Sequence, residues 1–235
     1  GTQWKLNVAA SVASKTFEFL DVTDSDARPG TTITAVDSTD SGNNSNWVFS
    51  VAGLTNTWSG TSGTVWSDGG NWSLSAAPTL SDARVVIPTG APNYPILDGP
   101  VSINELEIQA SATMQLNSQV LIVNHGATIA GTLIAAGSET VSFNSNLVFS
   151  GSGSFTAAQS TLRLGGTGAV TFTPLGNTFY AIAITNVGPV SVTDGFTVTD
   201  LTCPSSSTIV TFGGGFTAEN MTADVSGGGT LTFTA

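Results

Sequence analysis

Residues 121–164 read LIVNHGATIAGTLIAAGSETVSFNSNLVFSGSGSFTAAQSTLRL. Within them LIV (121–123), TLIA (132–135), VSF (141–143), LVF (147–149) and TLRL (161–164) are short apolar runs or apolar–polar alternations. Gly, Ser, Asn or Thr bound each one. That is the pattern of half-buried strands, one face inward and one outward. The same texture extends outward, to LEI at 106–108 on one side and to VTF (170–172), AIAI (181–184), VSV (190–192), IVTF (209–212) and TLTF (230–233) on the other. About one strand per 8–10 residues leaves no room for helices and predicts an all-β sandwich, barrel or solenoid.

The signals are many, short and alike, and no series of Asn-Gly or Asp-Gly hairpin turns separates them. A right-handed parallel β-helix fits this better than a β-sandwich, with about three strands and roughly 20–25 residues per coil. Residues 85–235 then form about six or seven coils stacked ~4.8 Å apart. Periodicity alone does not separate parallel from antiparallel pairing, so the sandwich stays open as the alternative.

Composition narrows the partners. Of 235 residues 40% are apolar, enough to fill a core, while only 9% are charged against the ~25% usual for globular domains. Solubility therefore rests on Ser, Thr, Asn and Gln. The net charge of −11 with five basic residues argues against nucleic acid and anionic lipid. No apolar run approaches the ~20 residues of a membrane span. Cys203 is the lone cysteine, so no internal disulfide and no cysteine-built metal site is expected. The low cysteine usage suits an extracellular bacterial surface protein.

Three zones differ in texture. Residues 1–53 hold most of the clustered acids and the run SGNNSNWVFS. Residues 54–84 hold Trp58, Trp66 and Trp72 among Gly, Ser and Thr and are expected to plug or cap the ladder. Residues 85–235 are the ladder itself and contain no tryptophan. A large amphipathic ring suits an end or junction, where it covers core that would otherwise meet water.

The middle zone carries a resemblance. TWSGTSGTVWSDGGNWSLSAAPTLSDARVVIP (57–88) resembles a segment that recurs in very large bacterial surface proteins of the filamentous-haemagglutinin and autotransporter-adhesin style. There it runs T-W-x-G, W-x-x-x-x-N-W-S, then P-x-x-x-D-x-x-V-x-I-P, and opens a β-helical repeat. Trp58, Gly60, Trp66, Asn71, Trp72, Ser73, Pro78, Asp82, Val85, Ile87 and Pro88 fit it. Residues 1–53 resemble the closing part of such a repeat, and GGGTLTFTA at the other end of the chain would run naturally into GTQWKLNV. The resemblance implies a non-catalytic structural repeat of a surface fibre or adhesin stalk. Its partners would be copies of itself, head-to-tail or in covalent tandem, with surface glycans as a further possibility. With Gly1 as its first residue, the chain is expected to be a mature product or a piece of something longer.

Candidate chemistry is sparse. Asp21, Asp24 and Asp26, with Asp37 and Asp40 beyond, are the one acidic cluster that suits a hard cation such as calcium. The D-x-D-x-D-G loop and its closing Glu are missing, so Asx turns are the competing reading. Glu105 and Glu107 form a same-face carboxylate pair with no base beside them, and His125 stands in an NHG turn. No catalytic constellation and no cofactor other than calcium is therefore expected. Threonines at 32–34, 171–173, 197–199 and 230–234 pose a carbohydrate- or ice-binding alternative. It turns on whether they align into one flat face.

Overall fold

The computed structural model describes residues 2–9, 16–18, 20–28, 30–36, 38–50, 54–80, 84–203, 209–223 and 230–233. Asp37, Asp82 and Thr234 lie outside them. The chain divides into two compact units, Gly1–Gly53 and Leu54–Ala235. It is all-β, a β-solenoid of about ten turns.

In Leu54–Ala235 every pairing between described strands is parallel, which settles the solenoid over the sandwich. The chain winds through three ladders. The first runs through Arg84–Ile87, the second half of Val101–Ile108, and on to Val170–Thr173, Val190–Val192, Ile209–Phe212 and Thr230–Phe233. The second begins in the first half of Val101–Ile108 and ends in Phe216–Ala223. The third begins at the bridges Val65–Ile96 and Ile96–Gln115 and continues through Thr113–Gln115, Thr132–Ile134 and Ser154–Thr156.

Because strands alternate their faces, each ladder stacks one side of its residues inward as a column. In the first ladder Val85, Leu106, Ala127, Leu147, Phe172, Val192, Phe212 and Phe233 stand in register. In the second, Val101, Leu121, Val141, Leu162, Ile182, Leu201 and Met221 do the same. Successive members are about twenty residues apart, the lower end of solenoid repeat lengths. All but the last member of each column are buried. Among the outward neighbours, Thr171, Ser191, Thr211 and Thr232 form a column of small polar side chains. The first-ladder column of eight exceeds the six or seven coils expected, because each coil is nearer twenty residues than twenty-five.

One coil is longer than its neighbours: Leu147 pairs with Phe172. Two asparagine side chains take over the backbone's hydrogen bonds there. Asn146 Oδ1 accepts from the Thr171 amide at 2.7 Å, and Asn177 Oδ1 accepts from the Phe155 amide at 2.8 Å. Backbone amides are thus satisfied where the ladder skips. At the following corner Gly166 has φ of +103°, and a Cβ there would stand 2.2 Å from the Asn144 carbonyl oxygen, so only glycine fits.

The unit Gly1–Gly53 is also built of parallel coils. Trp4–Lys5 pairs with Ser25–Asp26, Thr16–Glu18 with Ile33–Val36 and that with Trp47–Ser50, and Asp21–Val22 with Thr39–Asp40. Its small core includes Val22, Ala27, Ile33 and Ala35.

Leu162 sits in mid-column and is fully buried. Leu162→Ala should lower the unfolding free energy by ~2–5 kcal/mol, measured by urea denaturation. The outward neighbour Thr161, changed to Ser, should move it by less than ~0.5 kcal/mol.

Candidate functional site

The tryptophan segment is built into the core of the first coils. Trp58, Trp66 and Trp72 are all buried and share a cluster with Val85, Ile87, Leu97 and Val101. Trp72 stands edge-on to both others, with ring centroids 4.9 Å from Trp58 and 4.7 Å from Trp66. Each large ring must place its polar N–H when buried. Trp58 Nε1 donates to the Asn93 carbonyl at 2.7 Å and Trp72 Nε1 to the Trp66 carbonyl at 2.7 Å.

This accounts for several residues of the motif. Gly60 has φ of +63°, and a Cβ there would fall 2.2 Å from Asn93 O and 2.8 Å from Trp58 Nε1. Glycine is what allows the Asn93 loop to reach the Trp58 indole, and Asn93 Nδ2 in turn donates to Gly60 O at 2.9 Å. Asn71 is fully buried; its Oδ1 accepts from the Ser62 amide and its Nδ2 donates to Val65 O. Ser73 Oγ accepts from the Thr57 amide. The motif residues carry folding chemistry and close a tight irregular loop under the ladder.

Among the described residues of this unit, two surface depressions stand out. One, of about 630 Å³, lies between the 77–80 and 98–102 segments, with Trp66 and Leu80 in its lining. At its edge Asp98 accepts from Ser67 Oγ at 2.5 Å and from the Ser67 amide at 3.1 Å. The Ser67 hydroxyl, with its amide, holds the carboxyl below the usual range. The other, of about 300 Å³, is lined by Arg84, Glu105, Glu107, His125 and Asn146 among others. Here the structure corrects the sequence reading, which placed no base beside the glutamates. Arg84 pairs with Glu107, which also accepts from Gln109 Nε2 at 3.1 Å. The signal in the sequence was spacing, since Arg84 and Glu107 are about one coil apart. His125 Nδ1 lies 3.3 Å from Asn104 Oδ1 at the corner where the second ladder bends into the first.

Asp21, Asp24 and Asp26, the calcium candidates, each meet a local partner. Asp26 is 2% exposed. It accepts from Arg28 Nε at 2.8 Å, Arg28 Nη2 at 3.0 Å and the Arg28 amide at 3.0 Å, and pairs with Lys5. The Arg28 guanidinium, then Lys5, holds its carboxyl far below the ordinary carboxylate range. Asp21 accepts from Ser41 Oγ, and Asp24 from Asn43 Nδ2 at 2.5 Å. Among the described residues no three His, Cys, Asp or Glu side chains gather as an ion-binding group.

The asparagine run 43–46 fastens coil to coil. Asn43 and Asn46 take positive φ of 54° and 63°, as turn asparagines do. Asn44 bridges Val22 O, Asp40 and the Ser25 amide; Asn46 bridges Gly30 O and Thr32. Cys203 is buried, and burial pushes its thiol up to about 11.

The outward threonines align on two separate ladders. Thr171, Thr211 and Thr232 share the first, where Thr173 and Thr193 also bond at 2.9 Å. Thr178, Thr197 and Thr217 stand in register on another, through Thr178–Ile184, Phe196–Cys203 and Phe216–Ala223. No family model, curated protein or solved structure matches the chain.

Trp72→Ala removes a buried ring touching both other indoles and should cost ~3–5 kcal/mol, read as a lowered unfolding midpoint in denaturant. A second test concerns Asp26. Its folded-state pKa lies below the unfolded value, so its stabilisation is present above about pH 4 and is lost as pH falls below that. The Tm of Gly1–Gly53 should drop on acidification below pH ~4, and Asp26→Asn should lower the neutral-pH Tm while flattening that drop.

Proposed function

We propose that this chain is a non-catalytic structural module, a segment of a long fibre or adhesin stalk on a bacterial cell surface. The observation that carries the reading is the unbroken inward column from Val85 to Phe233, eight side chains in register. Such a column makes each coil the template of the next, so length is gained by adding coils without changing the core. The outward residues support the same reading. They are mostly Ser, Thr and Asn, and the charged pair Arg84–Glu107 is joined locally. Hydroxyl and amide side chains keep such a surface wetted although only 9% of the residues are charged.

A second reading, glycan binding, draws on the Thr171–Ser191–Thr211–Thr232 column, which offers hydroxyls in register along a parallel sheet. The stalk reading explains more of the chain, because it also uses the columns inside and the asparagine fasteners.

Antibodies raised against the folded chain should label intact, unpermeabilised cells that produce it, in filaments standing off the surface by immuno-electron microscopy. Protease added to intact cells should remove that label. Label seen only after permeabilisation would overturn the reading.

A further inference from the structure

We propose that Glu139 and Ser118, at one corner of the solenoid, hold a calcium ion between two adjacent coils. The site lies in Leu54–Ala235, apart from Asp21, Asp24 and Asp26, and its evidence is independent of the stalk reading.

Glu139 ends the corner between Thr132–Ile134 on the third ladder and Thr140–Phe143 on the second. It is 6% exposed. Its Oε2 accepts from the Gly137 amide at 2.7 Å, while its Oε1 is buried and has no hydrogen-bond partner. Among the described residues Glu139 joins no ion pair. Lys5 and Arg28 pair with Asp26, Arg84 pairs with Glu107, and Lys15 lies outside the described residues. Arg163, the remaining basic residue, reaches past the end of Thr161–Leu164, where a Cβ on Gly165 would stand 2.7 Å from its Nη1. Glu139 meets that strand at its start, where its carbonyl accepts from the Thr161 amide. A buried carboxylate with an unsatisfied oxygen and no counter-charge is costly. A cation from solvent removes both defects.

The preceding coil supplies a second oxygen and the room. Ser118 lies at the corresponding corner, between Thr113–Gln115 and Leu121–Ile129. A Cβ on Gly137 would stand 2.7 Å from Ser118 Oγ and 2.9 Å from Glu139 Oε2. Gly137 thus floors a gap between a hydroxyl and a carboxylate. Its φ lies outside the left-handed region, so the backbone does not call for glycine there. What the missing side chain provides is space between the two oxygens. Ser118 is exposed and Gly137 half-buried, so the gap opens to water on that side.

One carboxylate, one hydroxyl and retained waters make an irregular all-oxygen shell. That suits the flexible coordination of calcium better than the strict octahedron of magnesium. A net charge of −11 draws cations to the chain as a whole. With a single acid the site binds weakly, at a Kd of ~10⁻⁴–10⁻³ M, the range of extracellular modules. The single acid also explains why no group of three ligating side chains marks the place among the described residues. Bound there, the ion ties Ser118 of one coil to Glu139 of the next.

The test uses the full chain, stripped of metal with chelator and kept at constant ionic strength. Calcium added at millimolar levels should raise the Tm saturably, because an ion bound only by the folded chain stabilises it. Equilibrium dialysis against radioactive calcium should show a matching saturable phase. Glu139→Gln keeps the size of the side chain and an acceptor for the Gly137 amide while removing the charge. It should fold like wild type and lose both the Tm rise and the saturable phase. Ser118→Ala should weaken binding several-fold, and Gly137→Ala, which sets a methyl between the two oxygens, should weaken it as well. A wild type whose Tm and dialysis both ignore calcium would overturn the proposal. So would an equal response from Glu139→Gln, which places the ion elsewhere, or an equal Tm rise from sodium chloride in place of calcium, which marks screening alone. Labelling of intact cells is independent of these readouts, so the site and the stalk reading stand or fall separately.

Discussion

Everything in this molecule depends on the parallel pairing of each coil with the next. A buried strand must satisfy its N–H and C=O groups, and here the partners are about twenty residues away in sequence and one rung away in space. Pairing sets the register, and register sets the columns. Once Val101 stands beside Leu121, the positions on either side are assigned inward or outward without further choice, because a one-residue slip would turn every apolar side chain to water. The core is therefore less an arrangement of individual contacts than a consequence of one repeated pairing.

The places where pairing falters show how strict the demand is. At the long coil between Leu147 and Phe172, Asn146 and Asn177 supply side-chain oxygens where the ladder's own carbonyls do not reach. In Gly1–Gly53, Asn44 and Asn46 do similar work between turns. Asparagine suits this role because its amide is a short copy of the peptide group, with both a donor and an acceptor. The abundance of Asn, Ser and Thr in a chain with few charges thus has an internal use as well as a solvating one. Where charge is buried, as at Asp26, it is met by Lys5 and by a two-pronged Arg28, the arrangement that makes a buried carboxylate tolerable.

The tryptophan segment answers a different constraint. Within Leu54–Ala235 its three rings share one core with the first members of the inward columns, Val85 and Val101. Three indoles packed edge to face fill that volume, and Gly60 and Asn71 exist to satisfy their surroundings: one by leaving space, the other by bonding inside the loop. At the Phe233 coil no comparable cluster is described, and the aromatic stack there meets water.

The run of short repeated strands was legible in the sequence because its signal is local. Alternation in VSF and TLRL marks inward and outward faces within three or four residues, and even spacing announces repetition. The burial of Trp58, Trp66 and Trp72 was legible for a similar reason, since large rings amid small polar residues need an interior. What only the tertiary structure decided is which residues meet across coils. Parallel stacking rather than a sandwich was one such matter, because period-two alternation is the same in both. The pairing of Arg84 with Glu107 and of Asp26 with Lys5 and Arg28 was another. So was the division of the threonines between two ladders. These depend on the length of every intervening corner, and a single long coil like that before Phe172 shifts all later neighbours. Alternation along a strand is set by backbone geometry and survives in one dimension; neighbourhood across a ladder is the sum of many turn lengths and exists only once the chain has wound.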